Sequence, residues 1–168
     1  MLGQFYLGDA SNPLFAGLEG DCGELIDGVF FMAAPIDVGL EFDCDVPTGT
    51  PIVLSHAGFF ATVDVDGQTD EELQTAVEAG FTYTSNSLTL DGRALPLKTI
   101  DAGVFDVMSE PGSFYDVIFG LTGSVRSALR GNVVFLHPLT PGDHEIIGEV
   151  TFTGTGGAFS ATYHVHVG

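Results

Sequence analysis

Apolar and polar residues alternate with a period of two along much of this chain. From Asp37 to Val46, Val38, Leu40, Phe42, Cys44 and Val46 share one face, while Asp37, Glu41, Asp43 and Asp45 share the other. Successive side chains of a strand point to opposite faces. The stretch therefore reads as a half-buried strand, with Cys44 on the core side and an acidic stripe outside. Gly28–Ala34 is a near-continuous apolar run, as a strand buried on both faces requires. Pro51–His56 and Phe59–Asp66 read as the next two strands, and Val104–Met108 and Asn132–Leu136 as later ones. His144–Thr153 and Phe159–Val167 flank the Gly-rich turn Gly154–Gly157 and predict a C-terminal antiparallel hairpin.

One segment follows the helical period instead. Thr69 and Glu72 have the spacing of a capping box, Leu73, Ala76 and Val77 recur on one face, and Gly80 supplies a stop. Asp70, Glu71 and Glu72 fall in the first turn, where the helix dipole favours negative charge. Ser87–Leu97 predicts a second hairpin about Asp91-Gly92. Over Phe114–Leu129 neither period dominates. Short strands separated by Asp-Gly and Pro-Gly turns predict an all-β fold. The expected form is an antiparallel β-sandwich, jelly-roll or Ig-like, with one short α-helix near 69–80. At 168 residues the chain suits a single domain, with 1–12 a candidate extended N-terminal strand or arm.

Charge sharpens this picture. Asp and Glu number 23 against four Lys and Arg, a net charge of -19, yet mean hydropathy is +0.32. Four cations cannot neutralise many phosphates, so nucleic acid is excluded as a partner. No apolar run approaches the ~20 residues a membrane-spanning helix needs. Such a surface attracts cations, calcium among them. Most surface acids are simply solvated; the sharper reading is that some coordinate metal. The two cysteines, Cys22 and Cys44, fit one disulfide in an oxidising compartment, or two buried thiols. Met1–Ala10 lacks the basic start of an intact signal peptide, so an exported protein would appear here in trimmed form.

Two groups of residues are candidate metal ligands. Asp64-Val65-Asp66-Gly67 opens like a calcium loop, but counting from Asp64 an EF-hand would need Gly and Glu where Thr69 and Thr75 stand. A looser calcium site would form from Asp43, Asp45, Asp64 and Asp66 if the strand ending at Asp66 neighboured the strand over 37–46. His164 and His166 project from one face of the last strand, a spacing zinc sites use. Their third ligand would come from His56, His137, His144 or a carboxylate. The plainer reading is two surface histidines. No G-x-S-x-G elbow or phosphate loop is present, so no catalytic residue is assigned. The apolar residues Leu2, Phe5, Tyr6 and Leu7 are candidate assembly contacts, in the manner of a donated strand.

Three stretches carry a family resemblance: Val29-Phe30-Phe31-Met32-Ala33, Cys44-Asp45-Val46-Pro47-Thr48-Gly49-Thr50, and residues 134–146, which include Pro138-Leu139-Thr140-Pro141-Gly142-Asp143-His144-Glu145-Ile146. With the capped acidic helix and the Asp-Gly hairpin, the chain resembles a group of secreted prokaryotic β-sandwich proteins described only as hypothetical exported proteins. The resemblance implies export and a Cys22–Cys44 bridge. It implies no catalytic residues.

The expectation is a non-catalytic structural subunit of an extracellular or cell-surface assembly. It would self-associate through strand edges into a homo-oligomer or filament, with calcium bridging acidic faces. The alternative is a secreted module binding carbohydrate or another small ligand, for which Tyr6, Tyr83, Tyr115 and Tyr163 would have to stand in for the absent tryptophan. A third reading is a metalloenzyme built on His164 and His166.

Overall fold

The computed structural model describes residues 21–35, 37–153 and 157–168. Among them the elements in chain order are β1 (Gly23–Ile26), β2 (Val29–Met32), β3 (Leu40–Val46), β4 (Ile52–Thr62), α1 (Asp70–Gly80), β5 (Tyr83–Leu90), β6 (Arg93–Ala94), β7 (Lys98–Ser109), α2 (Phe114–Phe119), β8 (Gly123–Leu136), β9 (Gly142–Phe152) and β10 (Ala158–Val167). They form two five-stranded sheets, ordered β1-β2-β4-β8-β7 and β3-β10-β9-β5-β6. The fold is all-β, as the alternation predicts. The expected C-terminal hairpin is present as the antiparallel pair β9–β10.

The sheets are mixed rather than wholly antiparallel, since β2 pairs with β4 in parallel and so does β3 with β10. The chain passes from β2 in one sheet to β3 in the other and back to β4. On its return β4 lies beside β2 and runs the same way. Strand alternation encodes which face is buried, not which strand lies alongside.

Two further expectations change. Pro51–His56 and Phe59–Asp66 belong largely to one strand, β4, which carries a bulge between Ser55 and Ala57. The ambiguous Phe114–Leu129 stretch resolves into a second helix, α2, followed by β8. Six residues are too few to display a helical period. What ends α2 is Gly120, in the left-handed conformation at φ 69°. Tyr115 on α2 packs with Phe105, Val107 and Val125 of β7 and β8. Helix α1 forms as its sequence dictates, with Thr69 and Glu72 closing both halves of the capping box. Its buried residues Leu73 and Val77 pack on Ala61 and Ala128.

One buried cluster joins the sheets. Phe30, Met32, Leu54 and Val134 from the first meet Phe42, Leu88, Ile146 and Val165 from the second. Tyr163 is buried there, its ring 5.2 Å from that of Phe42 and its hydroxyl donating to the Ala33 carbonyl at 2.8 Å. The Cys22–Cys44 disulfide is formed, closing a separation of 22 residues between the start of β1 and the middle of β3. It links the two sheets covalently.

Candidate functional site

The outer face of the second sheet gathers the chain's most distinctive chemistry. In β10, Ala161, Tyr163, Val165 and Val167 are buried, so Thr162, His164 and His166 face outward. In β3 the inward Phe42, Cys44 and Val46 leave Glu41, Asp43 and Asp45 outside. In β9 the buried Ile146, Gly148 and Val150 leave Asp143, Glu145 and Glu149 outside. Strand β10 lies between the other two. His164 stands in register with Asp43 on one side and Glu145 on the other, and His166 with Asp45 and Asp143. Two histidines thus sit between two rows of carboxylates.

The contacts are specific. His166 donates from Nδ1 to Asp143 Oδ1 at 2.8 Å, and its Nε2 lies 3.9 Å from Asp43 Oδ1. The hydrogen bond to Asp143 raises the His166 pKa above its ordinary 6.5, with the charges of Asp143, Asp45 and Asp43 adding to it. The Asp143 bond holds the His166 ring, which is 47% exposed, while Asp43 opposite is 87% exposed. A shallow open cavity of about 520 Å³ lies here, lined by Asp43, Asp143, Glu145, His164 and His166 with Asp91 and His144. Among the described residues, no three His, Cys, Asp or Glu side chains are placed, as they stand, to hold a metal ion together.

The structure redistributes the predicted ligands. Asp43 and Asp45 share a face with His164 and His166, a grouping the sequence reading did not make. Asp64 and Asp66 are not part of it. They follow β4, which belongs to the other sheet and neighbours β2 and β8, so the strand adjacency that would gather four aspartates does not exist. Instead they build a tight turn. Asp64 has φ 67°, its N–H donates to the Gly67 carbonyl, and Asp66 Oδ2 accepts from the Thr62 N–H at 2.8 Å. The assembly candidates Leu2, Phe5, Tyr6 and Leu7 lie outside the described residues.

Of the candidate third ligands, His56 is excluded by burial. It lies inside the molecule at the β4 bulge and is 2% exposed. Gly148 opposite makes room for it, since a Cβ there would stand 2.8 Å from the imidazole. Beside it Asn86 donates to Asn132 Oδ1 at 2.6 Å, and Asn132 donates to Thr99 Oγ1 at 3.0 Å, tying β5 to β8 and β7. Burial lowers the His56 pKa below 6.5, partly offset by hydrogen bonding to Asn86 and to the backbone at Glu149.

His144 is engaged at both nitrogens. Nδ1 donates to Asp91 Oδ2 at 2.8 Å and Nε2 to the Thr140 carbonyl at 2.8 Å. Both acceptors demand a proton, so the imidazolium fits. Its pKa is raised, first by the bond to Asp91, and Asp91 is correspondingly lowered. Thr140 Oγ1 also lies 3.3 Å from Nε2 and completes an Asp–His–Thr order. The shorter carbonyl contact takes the Nε2 proton, so this imidazole is a clamp rather than a base toward that hydroxyl. Asp91 Oδ1 further accepts from the Glu145 N–H at 3.0 Å. The group pins the β5–β6 turn to β9. Nothing in the sequence around His144 points to Asp91, 53 positions away.

No family model matches this chain, and no curated protein matches it. Among solved structures, a chain in the structure of PbICP-C in complex with falcipain-2 aligns at 11% identity, over 88% of this chain and 97% of that one, with a TM-score of 0.29. The solution structure of Amebosin aligns at 11% identity, over 82% of this chain and 97% of that one, with a TM-score of 0.28. At such scores neither fold is equated with this one.

Proposed function

We propose that this chain is a non-catalytic, exported structural subunit that joins copies of itself through open sheet edges in an extracellular or cell-surface assembly. On this reading the two sheets form one sandwich domain, akin to the secreted prokaryotic β-sandwich proteins it resembles. The observation that carries the proposal is β7. Among the described residues this 12-residue strand pairs only with β8, leaving its other edge open. An open edge offers a row of backbone donors and acceptors to another strand. Its first half is blunted by Lys98 and by the bulge between Asp101 and Gly103. Residues 103–109 carry one charge, Asp106, which is paired with Arg126 at 3.0 Å, and include Met108, 68% exposed. This is a near-neutral, β-prone edge on a molecule of net charge -19. The disulfide suits an oxidising compartment. Calcium shared between the acidic rows of neighbouring copies would relieve their repulsion.

The test is light scattering and negative-stain electron microscopy, with millimolar calcium and with chelator. Oligomers or filaments are expected, and Met108→Asp is expected to disperse them while leaving the thermal melt in place. Monomers under both conditions overturn the reading. A second reading, a module for a small cationic ligand, is favoured by the open cavity on the acidic and histidine face. A carbohydrate platform is less well served. Tyr115 and Tyr163 are buried, which leaves Tyr83, 41% exposed, as the exposed tyrosine among the described residues.

A further inference from the structure

We infer that His164, His166 and Asp43 form a surface site for a divalent transition cation, zinc or copper in class, and that Asp143 is the carboxylate that orients His166. The inference goes beyond self-association, because every group in it belongs to one chain. It begins with the hydrogen bond from His166 Nδ1 to Asp143 Oδ1 at 2.8 Å. That bond fixes the imidazole so that Nε2 is the nitrogen available to a ligand. A ligating histidine typically gives its other N–H to a carboxylate, which sets the ring's tautomer and direction. Here that second partner is already in place.

Nε2 then faces Asp43 Oδ1 across 3.9 Å. An ion held about 2.0–2.1 Å from each in tetrahedral geometry sets two ligand atoms roughly 3.3–3.4 Å apart. The gap therefore closes by about half an ångström, well within the rotamer freedom of side chains this exposed. His164 brings the third donor. It lies two residues before His166 on the same face of β10, and its Cα is the register partner of Asp43. The strand register, set by backbone hydrogen bonds, holds the three side-chain roots together, and the ion need only draw in their tips. Glu145, in register with His164 on the far side, stands where His164 can be oriented in the same manner.

Donor chemistry decides the class of ion. Two imidazoles and one carboxylate suit zinc or copper, whereas calcium and magnesium prefer sites made wholly of oxygen. The other three histidines are otherwise placed: His56 is buried, His144 is clamped by Asp91 and Thr140, and His137 lies outside the cavity lining.

The experiment is isothermal titration of the full, untagged chain with zinc chloride, in millimolar calcium to suppress loose binding to carboxylates. One ion per chain is expected. His164→Ala, His166→Ala and Asp43→Asn should each weaken it at least about tenfold, and Asp143→Asn should do so by about 10–100-fold through lost orientation. His137→Ala should leave it unchanged. Copper-loaded protein should show nitrogen hyperfine coupling from two imidazoles in its electron paramagnetic resonance spectrum. His166→Gln, which keeps a polar side chain, guards against a variant that loses its fold, and a thermal melt of each variant confirms it. Absence of saturable zinc binding below millimolar concentration would falsify the site. So would binding that survives loss of both histidines, or displacement of zinc by calcium.

Discussion

His56 and His144 show how one residue type takes opposite protonation roles on neighbouring elements. His56 is sealed in the interior, so burial favours its neutral form. As pH falls below about 6.5 the unfolded chain takes up a proton that the folded chain resists, and stability declines until the lowered folded pKa is reached. His144 is clamped between Asp91 and Thr140, so its charged form is favoured. Its contribution is fully present below the unfolded pKa and is lost as pH rises through the raised folded value. The two effects oppose each other in a wild-type titration. They separate in His144→Gln, which should remove only the second. The stability difference between wild type and variant, measured by urea unfolding, should shrink as pH rises from 6 to 8. A difference that stays constant with pH would place His144 outside any ion pair.

At the scale of elements, the sequence is most legible where local chemistry is complete. Helix α1 follows from Thr69, Glu72 and the Leu73–Val77 stripe, all within one short window. Thr69→Ala removes the side chain that accepts from the Glu72 N–H and should cost about 1 kcal/mol in denaturant unfolding. An unchanged midpoint would mean that tertiary contacts alone hold the helix. Arg126 provides such contacts, donating to both oxygens of Asp70 in the first turn and both of Asp106 on β7. Helix α2 was not legible, because its stability comes from Tyr115 and its neighbours packing on β7 and β8 rather than from a period. The β4 bulge was hidden for a related reason. One extra residue, His56, shifts the alternation midway and makes a continuous strand read as two.

At the scale of the molecule, the Cys22–Cys44 bridge joins the two sheets, which otherwise meet through side chains. Constraining the unfolded chain over a separation of 22 residues stabilises by about 3 kcal/mol in the chain-entropy account. A Cys22→Ala, Cys44→Ala double variant should therefore unfold at lower urea concentration, with a steeper slope because the released unfolded chain exposes more surface. An unshifted midpoint would show that the core alone locks the sheets.

The sequence by itself determined which face of β3 is buried, where α1 begins, and the hairpins at Asp91-Gly92 and between β9 and β10. All of these rest on residues a few positions apart. It also set the acidic stripe of β3 and the histidine pair of β10. Only the tertiary structure decided that these two strands lie side by side in parallel, and so brought Asp43 to His166 while sending Asp64 and Asp66 to the other sheet. Alternation marks a side chain's face but carries no address for its neighbour. That address comes from packing the whole core at once.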